Sequence, residues 1–134
     1  MRSISSRLLI LPVHSRLSYS EQRRIFDRAP AGTRKVIVAT DVAETGITVD
    51  DVEYVVDTGA HREERFDAEK GVSCVDVHWA SSASIRQRRG RAGRVRPGQA
   101  FHLFTRSRQE ALLPYPLPEV HRVPLEKTVL DCKV

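Results

Sequence analysis

The sequence has no apolar run long enough to span a bilayer. Its longest, Leu8 to Val13, is interrupted by Pro12. Met1-Arg2-Ser3 ahead of that run has the outline of a secretory leader. No small-residue cleavage site follows, however, and His14-Ser15-Arg16 leads into a helix signal. Cysteine is scarce: Cys74 and Cys132 are the only two, with no short-range partner. Neither they nor His14, His61, His78, His102 and His121 fall at metal-ligand spacing. Two reduced thiols in an intracellular chain, cytoplasmic or nuclear, is the resulting expectation, with no membrane, no secretion and no structural metal. Lysine is scarce as well. Of 22 cationic residues only 4 are Lys and 18 are Arg.

What is present is one domain's worth of chain, 134 residues with 40% apolar and 29% charged, a folded composition. It is too short for a complete two-lobed nucleotide-driven machine, which needs a pair of α/β domains. The net charge is only +5, but arginine forms planar bidentate bonds to phosphate that a lysine point charge does not. A phosphate-bearing partner is the first expectation.

The pattern alternates strands and helices. Arg7 to His14 carries the continuous apolar run of a covered parallel strand. Ser18-Tyr19-Ser20-Glu21 is a capping box that opens a helix from Tyr19 to about Asp27, stopped by Pro30-Ala31-Gly32. Lys35 to Ala39 is a second strand, Thr40 to Asp51 a polar stretch, and Val52 to Val56 a third strand. Glu64-Arg65-Phe66 and Val72 to Trp79 flank the polar turn Asp67-Ala68-Glu69-Lys70-Gly71 and read as a β-hairpin. Ser81 or Ser82 caps a helix through Ile85 towards Gly93. Gln99 to Phe104 is another strand, followed by a short helix, a link with Pro114, Pro116 and Pro118, and a helix from about Leu125. This order predicts an α/β fold with a mostly parallel sheet.

Charge is segregated along that order. Asp41 to Glu69 has a local net of −8, and Val77 to Gln109 a local net of +8 with no acid at all. A like-charged run is usually a solvated face or tail. This one lies between two strands, inside the fold, where it needs anions to compensate it.

The most specific stretch is Gln87-Arg88-Arg89-Gly90-Arg91-Ala92-Gly93-Arg94. On a helix Arg91 and Arg94 share a face, and the glycines let backbone or ligand approach closely. Two forked guanidiniums on one rigid element suit the charge of a transferring γ-phosphoryl group. A generic Arg-rich RNA-binding helix needs no such spacing. The stretch resembles motif VI of superfamily 2 helicases, Q-R-x-G-R-x-G-R. Ala39-Thr40-Asp41-Val42-Ala43-Glu44-Thr45-Gly46-Ile47-Thr48-Val49-Asp50 resembles motif V of the DEAH/RHA group of RNA helicases. Leu8 to His14, with Ser15 to Ser18 and Glu21 to Phe26, is similar to the strand–loop–helix that precedes it there. Gln87 in place of the DEAD-box His, and the Arg94-Val95-Arg96-Pro97-Gly98 tail, match the DEAH/RHA pattern. Two positions depart from it: Asp41 stands where Asn is common, and Gly46 where Ser is common.

The resemblance implies a RecA-like (P-loop NTPase-type) second helicase lobe over residues 1–110, without its opening strand, with flanking helices and an inserted β-hairpin at about 60–79. Residues 111–134 would be a linker and the truncated start of a winged-helix domain. Neither a phosphate-binding G-x-x-x-x-G-K-[ST] loop nor a D-E-x-H segment occurs. The expectation is therefore a fragment, inactive alone, of an ATP-dependent RNA helicase, a nucleoside triphosphatase. Its ATP and Mg²⁺ would be held mainly by the first lobe.

By resemblance, Arg91 and Arg94 are catalytic arginine fingers and Gln87 a catalytic partner. Phe26, Thr48, Asp50 and Gly90 are nucleotide contacts, and Ser15, Thr40 and Asp41 line an RNA path. The partners implied are RNA, the first RecA-like lobe and the winged-helix domain. The plainer readings stand beside these: Phe26 as core, Thr48 and Asp50 as loop polar residues, Thr40 as a strand-end cap. Glu44 lacks a second carboxylate and reads as a structural hydrogen-bonding group. A non-catalytic RNA-binding fragment and a DNA-directed translocase on the same fold are the alternatives.

Overall fold

The computed structural model describes residues 7–67 and 69–133. The Met1-Arg2-Ser3 start, the place of an opening strand before Arg2, and Ala68 of the hairpin turn lie outside those residues. The chain divides into two compact units: residues up to 56 with 86–101, and residues 57–85 with those from 102 onward.

In the first unit, β1 (Arg7–Val13) and β2 (Thr33–Ala39) pair in parallel, from Arg7 opposite Thr33 to Val13 opposite Ala39. Between them lies α1 (Tyr19–Arg23), continued by a 3₁₀ turn over Arg24–Phe26. The capping box forms as expected: Ser18 Oγ accepts from Glu21 N–H, and the Glu21 carboxylate accepts from Ser18 N–H at 2.9 Å. Alternation along β1 turns Leu9, Leu11 and Val13 to one face. There Leu11 and Val13 bury with Ile25 and Val49, and Leu9, Ile37, Val42, Ile47 and Val52 pack around them. Each fully buried aliphatic side chain contributes about 1.5–3 kcal/mol. The polar stretch after β2 is not wholly loop: α2 (Val42–Thr45) forms a single turn within it. Val42 supplies the apolar contact that holds that turn to the core.

β3 (Tyr54–Asp57) pairs with β6 (Gln99–His102). Gln99 N–H donates to Glu53 O and Leu103 N–H to Asp57 O, each at 2.9 Å. Both bonds carry the same chain offset, so the two strands run parallel.

In the second unit, β4 (Ala60–Asp67) and β5 (Val72–Trp79) form the expected antiparallel hairpin. Asp67 organises its turn by accepting from Glu69 N–H and Lys70 N–H at 3.0 and 3.1 Å. Helix α3 (Ser82–Arg89) starts here, and Ser81 is its cap, its Oγ accepting from Ser84 N–H at 3.2 Å. Thr105 caps α4 (Arg106–Glu110) in the same way, through Arg108 N–H. Trp79 packs edge-on to Phe104 and lies under the Arg108 guanidinium, 4.9 Å from the ring centre.

The Pro-rich stretch beyond residue 110 is pinned rather than free. Ser82 N–H donates to Leu113 O, Phe66 N–H to Arg122 O, and Arg122 Nη1 to Glu64 O. Helix α5 (Glu126–Asp131) follows.

One buried carboxylate anchors this unit. Glu63 accepts from Arg65 Nε at 2.7 Å and lies 3.1 Å from His61 Nε2 and 3.6 Å from Arg122 Nη1. Burial pushes its pKa up, but the hydrogen bonds from Arg65 and His61 and the Arg122 charge outweigh it and leave the pKa below 4.5. A lowered folded-state pKa stabilises the fold above the unfolded value and ceases to do so as pH falls. Melting curves should therefore show this contribution intact above about pH 4.5 and lost progressively below it. Glu63→Gln should flatten that part of the profile, and an unchanged acid limb would refute the assignment.

Candidate nucleotide and nucleic-acid site

The elements of the first unit carry the candidate residues. The last register pair of β1 and β2 is Val13 opposite Ala39, and Thr40 N–H continues the ladder onto Val13 O at 3.0 Å. Ser15, Thr40 and Asp41 therefore leave together from the carboxyl ends of two neighbouring parallel strands. That is the edge at which α/β sheets bind ligands. All three are exposed. Asp41 precedes α2, and its side chain makes no cap bond.

Phe26 ends the 3₁₀ turn and is 53% exposed although its neighbour Ile25 is 1% exposed. The ring is therefore not part of the core cluster that buries Ile25. With Tyr19, Gln22, Arg23, Ile25, Gly46 and Ile47 it lines a groove of ≈ 390 Å³. The structure thus brings Phe26 against the loop that leads to Thr48 and Asp50, both exposed. Gly46 caps the end of α2, and a Cβ there would meet only Val42 O at 4.0 Å. The missing hydroxyl is not forced by lack of space.

The arginine stretch needs one correction. Arg91 and Arg94 do not share a helical face, because α3 ends at Arg89. Arg91 and Ala92 N–H turn back onto Arg88 O and Arg89 O, and Gly93 takes a left-handed φ of +76°. Three arginines in the last turn favour the negative end of the helix dipole, but two glycines within four residues end the helix there. Gln87 is exposed on α3, Gly90 follows it, and Arg94 is exposed with its Nε on Gly90 O at 3.3 Å.

Arg91 lies in a different setting. It is half-buried and donates through Nη1 to Ile47 O at 3.1 Å and through Nη2 to Glu44 O. Its Nε is buried and has no hydrogen-bond partner among the described residues. Beside it the Glu44 carboxylate accepts from Arg88 Nε at 3.0 Å, with both side chains about 15% exposed. Arg96 pairs with Glu53 at 3.0 Å. The acidic block therefore supplies counter-charges for the basic one, and Glu44 is the structural group that its isolation in sequence indicated. The 42–47 loop is held by arginines and also walls the aromatic groove.

Sequence reasoning missed two supports. Gly98 packs directly on backbone, and Lys35 ties three segments together through its buried ammonium. Only spatial neighbours mark either of them.

The helicase conserved C-terminal domain model matches residues 2–96. The chain belongs to that family. This helicase C-terminal domain is 51% identical over 129 residues to the ATP-dependent RNA helicase DHX30 of Rattus norvegicus, covering 96% of the chain and 11% of the relative. It is 45% identical over 130 residues to the human ATP-dependent DNA/RNA helicase DHX36, covering 97% of the chain and 13% of the relative. The crystal structure of the Escherichia coli DEAH/RHA helicase HrpB superposes with a TM-score of 0.86 at 35% identity, over 95% of the chain and 16% of that structure. The helicase C-terminal domain is thus of the DEAH/RHA type, and the RecA-like α/β fold expected from sequence holds. It spans about a tenth of the length of its curated relatives.

Proposed function

We propose that this helicase C-terminal domain is the second RecA-like lobe of an ATP-dependent RNA helicase. Residues 1–110 form the lobe and 111–134 lead into a winged-helix domain. The supporting observation is that one loop, residues 42–47, walls the groove beside Phe26 and is held by Arg88 and Arg91. A base-stacking ring and a guanidinium cluster are thereby joined through a single element.

In this reading Phe26 stacks on adenine, and Thr48, Asp50 and Gly90 face the ribose and phosphates. Arg91 and Arg94 stabilise charge on the γ-phosphoryl oxygens, and Gln87 orients the attacking water. Ser15, Thr40 and Asp41 follow the RNA backbone, where the Asp41 carboxylate weakens rather than strengthens phosphate binding. The groove's aromatic lining, Phe26 with Tyr19, suits a planar base. Mg²⁺ and most of the triphosphate grip belong, in this reading, to the first lobe. Bound Mg²⁺ would neutralise phosphate charge there. The chain's own part is to stack the base, to place guanidiniums and to carry the nucleic acid across its strand ends. An intracellular location, cytoplasmic or nuclear, goes with this reading and with the free Cys74 and Cys132. No described helix is long and apolar enough to cross a membrane.

Phe26→Ala in the full-length parent tests the nucleotide half. Base–aromatic stacking is worth ~1–3 kcal/mol, so the nucleotide Kd should rise ~5–150-fold while kcat at saturating ATP is nearly kept. Loss of kcat with an unchanged Kd would refute the stacking role. Fluorescence anisotropy tests the other half. Neutralising ~3 phosphates implies a log–log salt slope near −2 for a single strand. A flat response would leave no backbone-tracking surface. Because DHX36 is named a DNA/RNA helicase, single-stranded DNA belongs beside RNA in that titration. Tighter DNA binding would favour the translocase reading, and RNA binding without ATP turnover by the parent the non-catalytic one.

A further inference from the structure

Lys35 lies on β2 with its side chain buried and its charge fully engaged. Its side chain is 8% exposed, and its Nζ donates to Ile25 O at 2.8 Å and Asp27 O at 3.0 Å and pairs with Asp51 Oδ1 at 2.8 Å. Three acceptors match the three donors of an ammonium, so none of its hydrogen-bonding capacity is left over. The choice of acceptors is informative. Ile25 and Asp27 are the residues on either side of Phe26, and Asp51 directly follows Asp50. One cation therefore clamps the backbone that carries the exposed ring and the end of the 48–50 segment to a single strand. A buried lysine is costly unless it is fully paired. An apolar residue would suit a strand interior better if packing were its only role.

We propose that Lys35 is a positioning residue for base stacking, holding the backbone on either side of the Phe26 ring in place, with Asp51 as its counter-ion. This rests on the reading of Phe26 as the base-stacking residue. Lys35 touches no nucleotide. It acts by keeping the ring pre-organised, so that binding does not have to order it.

The test uses the full-length parent with Phe26→Ala, Lys35→Met, their double variant and Asp51→Asn, reading ATP Kd, KM and kcat. Inorganic triphosphate serves as a competitor without a base. Lys35→Met should raise the ATP Kd about tenfold with kcat within about twofold, and leave the inhibition constant of triphosphate unchanged. The double variant should bind no more weakly than Phe26→Ala alone, because sites acting through one element do not add. Asp51→Asn keeps the side-chain shape on a more exposed group and should give a smaller shift in the same direction. If Lys35→Met does not fold, this variant decides. Phe26→Ala weakening ATP while Lys35→Met and Asp51→Asn do not would overturn the positioning role and leave the stacking reading intact. Additive losses, or equal losses for triphosphate, would also overturn it, marking Lys35 as merely structural. No effect of Phe26→Ala would remove the stacking reading and this inference with it.

Discussion

Arg94→Ala in the full-length parent should lower kcat ~10³-fold or more, the scale of an arginine that meets developing charge in phosphoryl transfer. ATP binding and melting temperature should hardly change. Arg94 is exposed, and the hydrogen bond its side chain makes among the described residues is from Nε to Gly90 O, so its removal opens no cavity and orphans little. Charge on the γ-phosphoryl oxygens redistributes mainly in the transition state, and a guanidinium placed there acts on kcat. Gln87, exposed on α3, should follow the same pattern if it orients water.

Arg91→Ala should differ. It also removes the donors to Ile47 O and Glu44 O, and unpaired carbonyls cost ~1–3 kcal/mol. A loss of kcat accompanied by a lower melting temperature is therefore expected for Arg91, and a loss of kcat alone for Arg94. Steady-state kinetics, nucleotide titration and melting curves on the three variants decide the matter. If Arg94→Ala raised only KM, the cluster would be a phosphate-binding patch and not a pair of fingers.

The largest loss of stability should come from Gly98→Ala. A Cβ there would meet the backbone nitrogen of Gly93 and lie 2.8 Å from Glu53 O and from Gly93 Cα. All three are backbone atoms, so no side chain can swing aside. Gly93 itself has φ +76°, and its N–H donates to Val52 O at 3.4 Å, so the 93–98 loop is folded on itself and against the start of β3. Overpacking of this kind costs ~3 kcal/mol or more, which lowers the melting temperature by about 10 °C for a domain of this size. The Arg94 position would be displaced with it. Melting of Gly98→Ala beside Gly32→Ala tests this, since Gly32 has φ +74° but nothing within 4 Å. Gly32→Ala isolates the backbone strain from the steric clash. Gly98 has no positive φ, so its loss comes from the clash alone, and a Gly98→Ala variant that melts like the parent would mean that the close approach is unimportant.

Local patterns carried much of this domain. The apolar run at Leu8 to Leu11, the Ser18–Glu21 box and the alternation from Val72 to Trp79 each depend on neighbours within a few residues and formed where expected, but Leu8 and Ile10 are exposed, so β1 is covered on one face and not on both. The arginine and acidic motifs were legible for the same reason, as residue types at short spacings. What failed was an inference from local spacing to shared geometry. Arg91 and Arg94 are three apart, but whether they share a helical face depends on where α3 stops. Gly93 in the left-handed region, bonded to Val52 about forty residues earlier in the chain, takes part in that decision. The α2 turn was hidden likewise, because Val42 is helical through its contact with the core rather than through a four-residue propensity.

By itself, then, the sequence determined the element types, the family and the set of candidate residues, since these rest on order, spacing and side-chain chemistry. Tertiary structure alone decided which candidates meet. It set Phe26 against Gly46 and Ile47, engaged Arg91 with loop carbonyls while leaving Arg94 exposed, and gathered Ile25, Asp27 and Asp51 around Lys35. The physical reason is that a buried charge must find acceptors wherever the folded backbone offers them. Apart from the Asp51 carboxylate, those acceptors here are main-chain carbonyls, which every residue possesses and no sequence pattern distinguishes.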